Sequence, residues 1–212
     1  MGLRERKKAE TRRRIAEAAH RLFGERGFQA VTVVEVARAA EVAEATLFNY
    51  FPTKEDLFYS GLEAFGARLV AAVRDRPHGE SALAAFRTEL LADAGQLDRI
   101  AEGDAEALDR ARTTARVILA SPALQARERQ VLLGIATELA EAIGPVAADP
   151  VPRAAANALM GVHLALVEYT RARLSADDRP AELAADVRAR AVEAFALLEH
   201  GLATFAPAPP SD

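Results

Sequence analysis

Between Thr46 and Lys54 the chain reads TLFNYFPTK, and four side chains with polar or π chemistry fall within five positions: Thr46, Phe48, Asn49 and Tyr50. Lys54 follows four positions after Tyr50. A hydroxyl, a carboxamide, a phenol and an ammonium can all donate hydrogen bonds to phosphate oxygens, and an aromatic ring suits a thymine methyl. The same rings also fit an ordinary half-buried helix, so the side of the helix they occupy decides between the two. The chain has only nine Phe and three Tyr in 212 residues, yet Phe48, Tyr50, Phe51, Phe58 and Tyr59 crowd into one short stretch.

The elements that must hold these residues are helical. Ile15, Ala18, Ala19, Leu22 and Phe23 recur at helical spacing, with Gly24 and Gly27 as the stop. Thr32 with Glu35 three residues later forms a capping box, opening a short second helix that ends near Ala40. A third helix is expected over 45–51, closed by Pro52, which disfavours the α conformation in the residue before it. Thr53 caps a fourth, running to about Arg74, with Glu55 and Asp56 placed well for the helix dipole. On this layout Leu47, Phe51 and Phe58 pack back on the first two helices, and Thr46, Phe48, Asn49 and Tyr50 take the other faces. One longer helix and two short ones around a tight turn is the helix-turn-helix arrangement, whose second short helix enters a major groove.

Charge agrees with a polyanion at this end. Residues 1–55 hold eleven Lys/Arg against eight Asp/Glu, seven of the basic residues within the first fourteen, while the whole chain has a net charge of -4. A solvated basic arm that aids solubility fits the same count. No cysteine is present, so disulfides and thiolate chemistry are excluded and a reducing interior suits the chain. No apolar run approaches a membrane span and no signal-peptide core follows the basic start, so a cytoplasmic location and no membrane contact are expected. His20, His78, His163 and His200 are scattered, and no phosphate loop, metal-ligand spacing or catalytic arrangement is legible. No enzyme activity, metal or cofactor is expected.

Beyond Pro77 and Gly79 the sequence turns alanine-rich, with long amphipathic helices expected over 81–97, 104–119, 123–143, 152–174 and 180–205. The ending APAPPSD has no core-forming residue and is expected to be disordered. The last helix repeats Leu183, Val187, Ala191, Ala194, Phe195, Leu198, Leu202 and Phe205 every three or four positions. With Ala158, Gly161, Ala165, Ala184 and Ala191 permitting close approach, the two final helices offer a pairing surface for a second copy, or else spend both stripes inside the monomer.

The stretch TVVEVARAAEVAEATLFNYFPTKEDLF resembles the DNA-binding domain of the TetR family of transcriptional regulators, over about Thr11 to Phe58. The resemblance implies an all-α fold. Residues 1–55 would be a three-helix helix-turn-helix DNA-binding domain, joined by a connecting helix to a ligand-binding and dimerisation domain over 56–206, with 207–212 as the tail. It implies a homodimeric, ligand-responsive regulator, a repressor released from its double-stranded DNA operator by a small molecule. The alternative is a helical small-molecule-binding or scaffold protein whose DNA-binding domain has weakened.

By the same resemblance Ala45, Thr46, Phe48 and Asn49 match positions that face bases or the groove wall. Thr32, Tyr50 and Lys54 match phosphate-contacting positions. Three residues depart from the family pattern: Glu41 where glycine is usual, Ala43 in place of a capping serine, and Glu44 where Lys or Arg is common. Glu44 adds negative charge near the phosphates, or accepts from a cytosine amine. An effector pocket would draw on Phe65, Phe86, Leu90, Arg116, Leu119, Leu159, Met160 and His163, of which most serve equally well as core. His163 is expected to be buried.

Overall fold

The computed structural model describes residues 2–92, 95–176 and 179–201, and among these every regular element is an α-helix. The order is α1 (Leu3–Arg26), α2 (Val33–Ala39), α3 (Glu44–Tyr50), α4 (Lys54–Phe58), α5 (Ser60–Arg74), α6 (Ala82–Ala92), α7 (Gly95–Ala101), α8 (Ala105–Leu119), α9 (Pro122–Ile143), α10 (Val151–Ser175) and α11 (Pro180–His200). They form two compact units. The first comprises residues up to Ala67 with Arg116–Ile135, the second Arg68–Ala115 with residues from Ala136 onward.

In the first unit α1 packs against α2 and α4, and α2 against α3. The apolar stripe read along α1 supplies Ile15, Ala18, Ala19 and Phe23, all buried, as are Val36 and Ala37 of α2, Leu47 of α3 and the following Phe51. Helix α1 runs through Gly24 and stops at Gly27, which takes φ 80° and donates its N–H to the Phe23 carbonyl at 2.9 Å. The aromatic crowd resolves into a packed cluster: the Phe28 ring lies 5.3 Å from Phe23 and 5.1 Å from Phe58, which meets Tyr59 edge-on at 5.0 Å. Helix α9 comes so close to α5 that a Cβ on Gly66 would lie 2.3 Å from Ile135 Cδ1.

In the second unit α11 packs on α7 and α10, and α10 on α6. Phe86 and Phe195 are fully buried with ring centres 6.3 Å apart, and a second cluster gathers Ile100, Ala107, Ala111, Leu174, Leu183 and Val187. The stripe of α11 is therefore spent largely within the chain.

Three expected helices differ from those observed. The helix from Thr53 to Arg74 is two pieces, because Ser60 Oγ donates to the Leu57 carbonyl at 2.8 Å and lies 2.9 Å from His20 Nε2, competing with the backbone pattern just past Tyr59. The element over 81–97 is instead α6 and α7, each short. Helix α11 ends at His200, where Gly201 takes φ 80°. Leu202, Phe205 and the tail 207–212 lie outside the described residues.

The turn between α2 and α3 has the geometry its sequence makes costly. Glu41 N–H donates to Arg38 O at 3.1 Å and Val42 N–H to Ala37 O at 3.0 Å, the paired bonds of a Schellman motif, with Glu41 at φ 53°. A side chain in the left-handed region costs about 1 kcal/mol. Ala43, the N-cap of α3, has no side-chain cap bond. Glu41→Gly should therefore raise stability by up to about 1 kcal/mol, and Ala43→Ser should add about as much, measured by thermal and urea unfolding. A lower melting point for Glu41→Gly would refute the turn geometry.

Candidate nucleic-acid interface

Helix α3 has an inner and an outer side. Leu47 and the following Phe51 are buried at 0% and 1% exposure and hold the helix to the core. Glu44, Ala45, Phe48 and Asn49 are exposed, Phe48 at 46%, and Thr46 and Tyr50 are half-buried along the edges. Helical spacing stacks Glu44 under Phe48 and Ala45 under Asn49, two adjacent rows on one face. Among the described residues Glu44 and Asn49 make no side-chain hydrogen bond or ion pair. The outer face thus offers a carboxylate, a carboxamide and an aromatic edge to whatever meets it.

Of the three residues matched to phosphate contacts, Thr32 and Lys54 have side chains already engaged, while Tyr50 is held through its backbone carbonyl. Thr32 caps α2: its hydroxyl accepts from Glu35 N at 3.3 Å and donates to Glu35 Oε2 at 2.8 Å, while its own N–H donates to the same carboxylate at 2.8 Å. Arg26 Nη1 pairs with the other carboxylate oxygen at 2.8 Å. The Thr32 N–H, the Arg26 guanidinium and the Thr32 hydroxyl hold the Glu35 carboxyl down to about 2. Lys54 opens α4 and lays its ammonium 4.3 Å above the Phe28 ring and 6.0 Å from Phe23, a cation–π seat on the aromatic cluster. Burial there lowers its pKa, against the opposing pull of Glu55 and Glu35.

Two arginines of the basic start are turned to the protein itself. Arg13 bridges Glu10 and Glu17 along α1. Arg12 donates from Nη1 to the Tyr50 carbonyl at 3.2 Å, pairs through Nη2 with Glu63 at 2.6 Å and stacks 4.3 Å over the Phe51 ring. Glu63 also takes Arg127 Nη2 at 2.7 Å, and Arg127 Nε lies 2.6 Å from Asp56 Oδ1 as an ion pair off the line of a hydrogen bond. Arg4, Arg6, Lys7, Lys8 and Arg14 are exposed and unpaired among the described residues. Sequence reasoning missed the group of Arg12, Asp56, Glu63 and Arg127. Its one legible trace was the spacing of Asp56 and Glu63, seven apart and so on one side of the connecting segment.

Residues 15–60 match the model for bacterial regulatory proteins of the tetR family, and residues 80–203, more than half of the chain, match the MftR C-terminal domain. The chain belongs to the TetR family. The HTH-type transcriptional regulator TcmR of Streptomyces glaucescens is 34% identical over 108 residues, covering 51% of this chain and 46% of TcmR, so the chain spans about half of that relative. MftR of Mycobacterium tuberculosis (strain ATCC 25618 / H37Rv), named for transcriptional regulation of mycofactocin biosynthesis, is 30% identical over 168 residues, covering 77% of this chain and 81% of its own. A TetR-family regulator from Syntrophomonas wolfei superposes with a TM-score of 0.57 at 18% identity, over 93% of this chain and 99% of that one. Another from Rhodococcus sp. gives 0.51 at 20% identity, over 91% and 98%. These structures show the fold. This TetR-family protein is a DNA-binding transcriptional regulator, not the scaffold protein of the alternative.

The residues expected around an effector fall in different places. Phe86, Leu159 and Met160 are buried in the second unit, with Leu90 and His163 half-buried beside them in sequence. His163, expected in the core, sits at the edge of the buried stripe of α10, between buried Val162 and exposed Leu164. Phe65 is half-buried in the first unit, where Arg116 is exposed and Leu119 is 57% exposed. Among the described residues no three His, Cys, Asp or Glu group as metal ligands, and no helix is long and apolar enough to cross a membrane.

The Thr32–Glu35 cap carries a pH signature. Its carboxyl is depressed from 4.5 to about 2, so its contribution is fully present above about pH 4.5 and is lost as pH falls toward 2. Glu35→Gln should melt lower than the parent at neutral pH, and the gap should narrow steadily in acid. A gap that is constant from pH 7 to about pH 3 would disprove the assignment.

Proposed function

We propose that this regulator is a repressor that reads its operator with the outer face of α3 and is released by a small molecule held in its second unit. One observation carries the reading: the buried Leu47 and Phe51 fix α3 while Glu44, Ala45, Phe48 and Asn49 stay exposed. On this reading Asn49 meets an adenine edge, Phe48 a thymine methyl, Ala45 and Thr46 the groove wall, and Glu44 a cytosine amine. Thr32, Tyr50 and Lys54 lie on phosphates, Thr32 exchanging its hydroxyl bond to Glu35 for one to the backbone. Arg4, Arg6, Lys7, Lys8 and Arg14 of α1 add the sequence-independent attraction. The proposed effector seat lies among Phe86, Leu90, Leu159, Met160 and His163, on the touching helices α6 and α10. Phe65, Arg116 and Leu119 belong to the first unit and are left out of this seat. The boundary at residue 55, a cytoplasmic location and the lack of any catalytic role belong to the same proposal.

The DNA half of the proposal is tested by salt-titrated binding to an operator selected from random duplexes. The combined Tyr50→Phe and Lys54→Ala variant should weaken operator and nonspecific DNA alike and flatten the log–log salt dependence by up to about two units. Glu44→Lys should strengthen nonspecific binding. Unaltered affinity in the double variant removes this surface from the interface.

A single α3 offers too few base contacts for specificity, and two copies would reach successive major grooves about 34–36 Å apart. We assign the pairing to α10 and α11. Ala184 and Ala191 are consumed inside the chain, but Ala158, Gly161 and Ala165 are exposed, as are Leu164 at 38% and Val192 at 63%. The Leu164→Glu, Val192→Glu variant should sediment as a monomer, keep its helical circular dichroism and lose operator binding. A parent chain that sediments at 22.7 kDa at micromolar concentration would end the dimer proposal.

A further inference from the structure

Seven residues make less than two turns of helix, too few to persist without outside support. The N-terminus of α3 has no side-chain cap, so the side-chain bond that secures an end of the helix is at its C-terminus. There the Tyr50 carbonyl, which the helix leaves without an internal partner, accepts from Arg12, whose guanidinium also covers the Phe51 ring. Arg12 is itself held by Glu63, and Glu63 by Arg127 of α9. Arg127 reaches on to Asp56, whose second oxygen accepts the Thr53 N–H at 2.8 Å in the capping box that starts α4. The Asp56 N–H closes that box on Thr53 Oγ1 at 3.1 Å.

One chain of alternating charge, Arg12–Glu63–Arg127–Asp56, thus ties together the last carbonyl of α3 and the first turn of α4. All four carboxylate oxygens in it are occupied. Asp56 is the most buried member, and a carboxylate there is costly unless it is paired. The approach of α9 that brings Arg127 into reach is fixed independently by Gly66 against Ile135.

We infer that Arg127, together with Glu63 and Arg12, is a positioning residue for operator reading. It touches no DNA. It sets the separation and tilt of the two helix ends that carry Tyr50 and Lys54, and through them the angle at which the outer face of α3 meets base edges. The inference rests on the DNA-reading proposal and adds to it a residue 73 positions beyond Lys54 in sequence. A positioning role affects base contacts, which need an exact angle, far more than nonspecific attraction, which needs only charge.

The test uses the full-length protein, its selected operator and an unrelated duplex at the same salt. Arg127→Gln should lower the ratio of operator to nonspecific affinity by about fivefold or more while leaving the slope of the salt dependence within about half a unit of the parent. Glu63→Gln should do the same, and combining the two should cost less than the sum of the single losses, because both break one network. Should Arg127→Gln not fold, Glu63→Gln alone reads the same ratio. A folded variant with an unchanged ratio, or losses that simply add, overturns the inference and leaves operator reading standing. A slope reduced by about one unit with both DNAs weakened equally makes Arg127 a phosphate contact and overturns it too. A parent protein with no sequence preference overturns the DNA-reading proposal itself, and the inference with it.

Discussion

Helix α3 is too short to hold its own shape, and much of the first unit can be understood as the support it requires. Its inner face gives up Leu47 and Phe51 to the core, its last carbonyl goes to Arg12, and its entry turn is a Schellman motif closed by Glu41 in a left-handed conformation. Each device compensates for backbone groups or conformational freedom that seven residues cannot manage alone. The outer face is then left with no structural duty. That freedom is what allows Glu44, Ala45, Phe48 and Asn49 to be chosen for what they meet.

Charge follows a similar division of labour. Acidic residues stand at the starts of the short helices, Glu35 in α2, Glu44 in α3, Glu55 and Asp56 in α4, where the helix dipole favours them. On the proposed reading the same positions approach a polyanion. Two of the four carboxylates, Glu35 and Asp56, are neutralised by arginines within the unit, so their field does not project outward at full strength. Basic residues of α1 left unpaired restore an attractive field at longer range, where exact geometry does not matter. An acidic protein can in this way present a DNA-competent end.

The aromatic cluster joins these two themes. Phe23, Phe28 and Tyr59 are buried with Phe58 half-buried against them, and the Phe28 ring also supports the Lys54 ammonium. A long, flexible lysine is thereby held at the N-terminus of α4, at the loss of some of its hydration. Packing and the placing of a cation are done by the same rings.

Periodicity and caps were enough to read most of the helices, because they are local: Thr32 with Glu35 and Thr53 with Asp56 each close a box within three residues, and Gly27 and Gly103 take the positive φ that ends a helix. The motif from Thr46 to Lys54 likewise named Phe48 and Asn49 of the outer face, with Thr46 and Tyr50 along its edges, and the inward set of Leu47, Phe51 and Phe58 followed from a 3.6-residue repeat. The interruption at Tyr59 was not legible, since it depends on Ser60 finding His20 across forty positions. Nor was the inward turn of Arg12, which in sequence is one more basic residue in a basic run. Its partner Glu63 lies 51 positions away, Arg127 lies 64 positions beyond Glu63, and only the packing of α9 on α5 at Gly66 brings them together. Sequence alone determined which surfaces exist, because helical faces are set by neighbours three and four residues away. Tertiary structure decided which charges face the partner and which face the protein, because that depends on helices meeting across the fold.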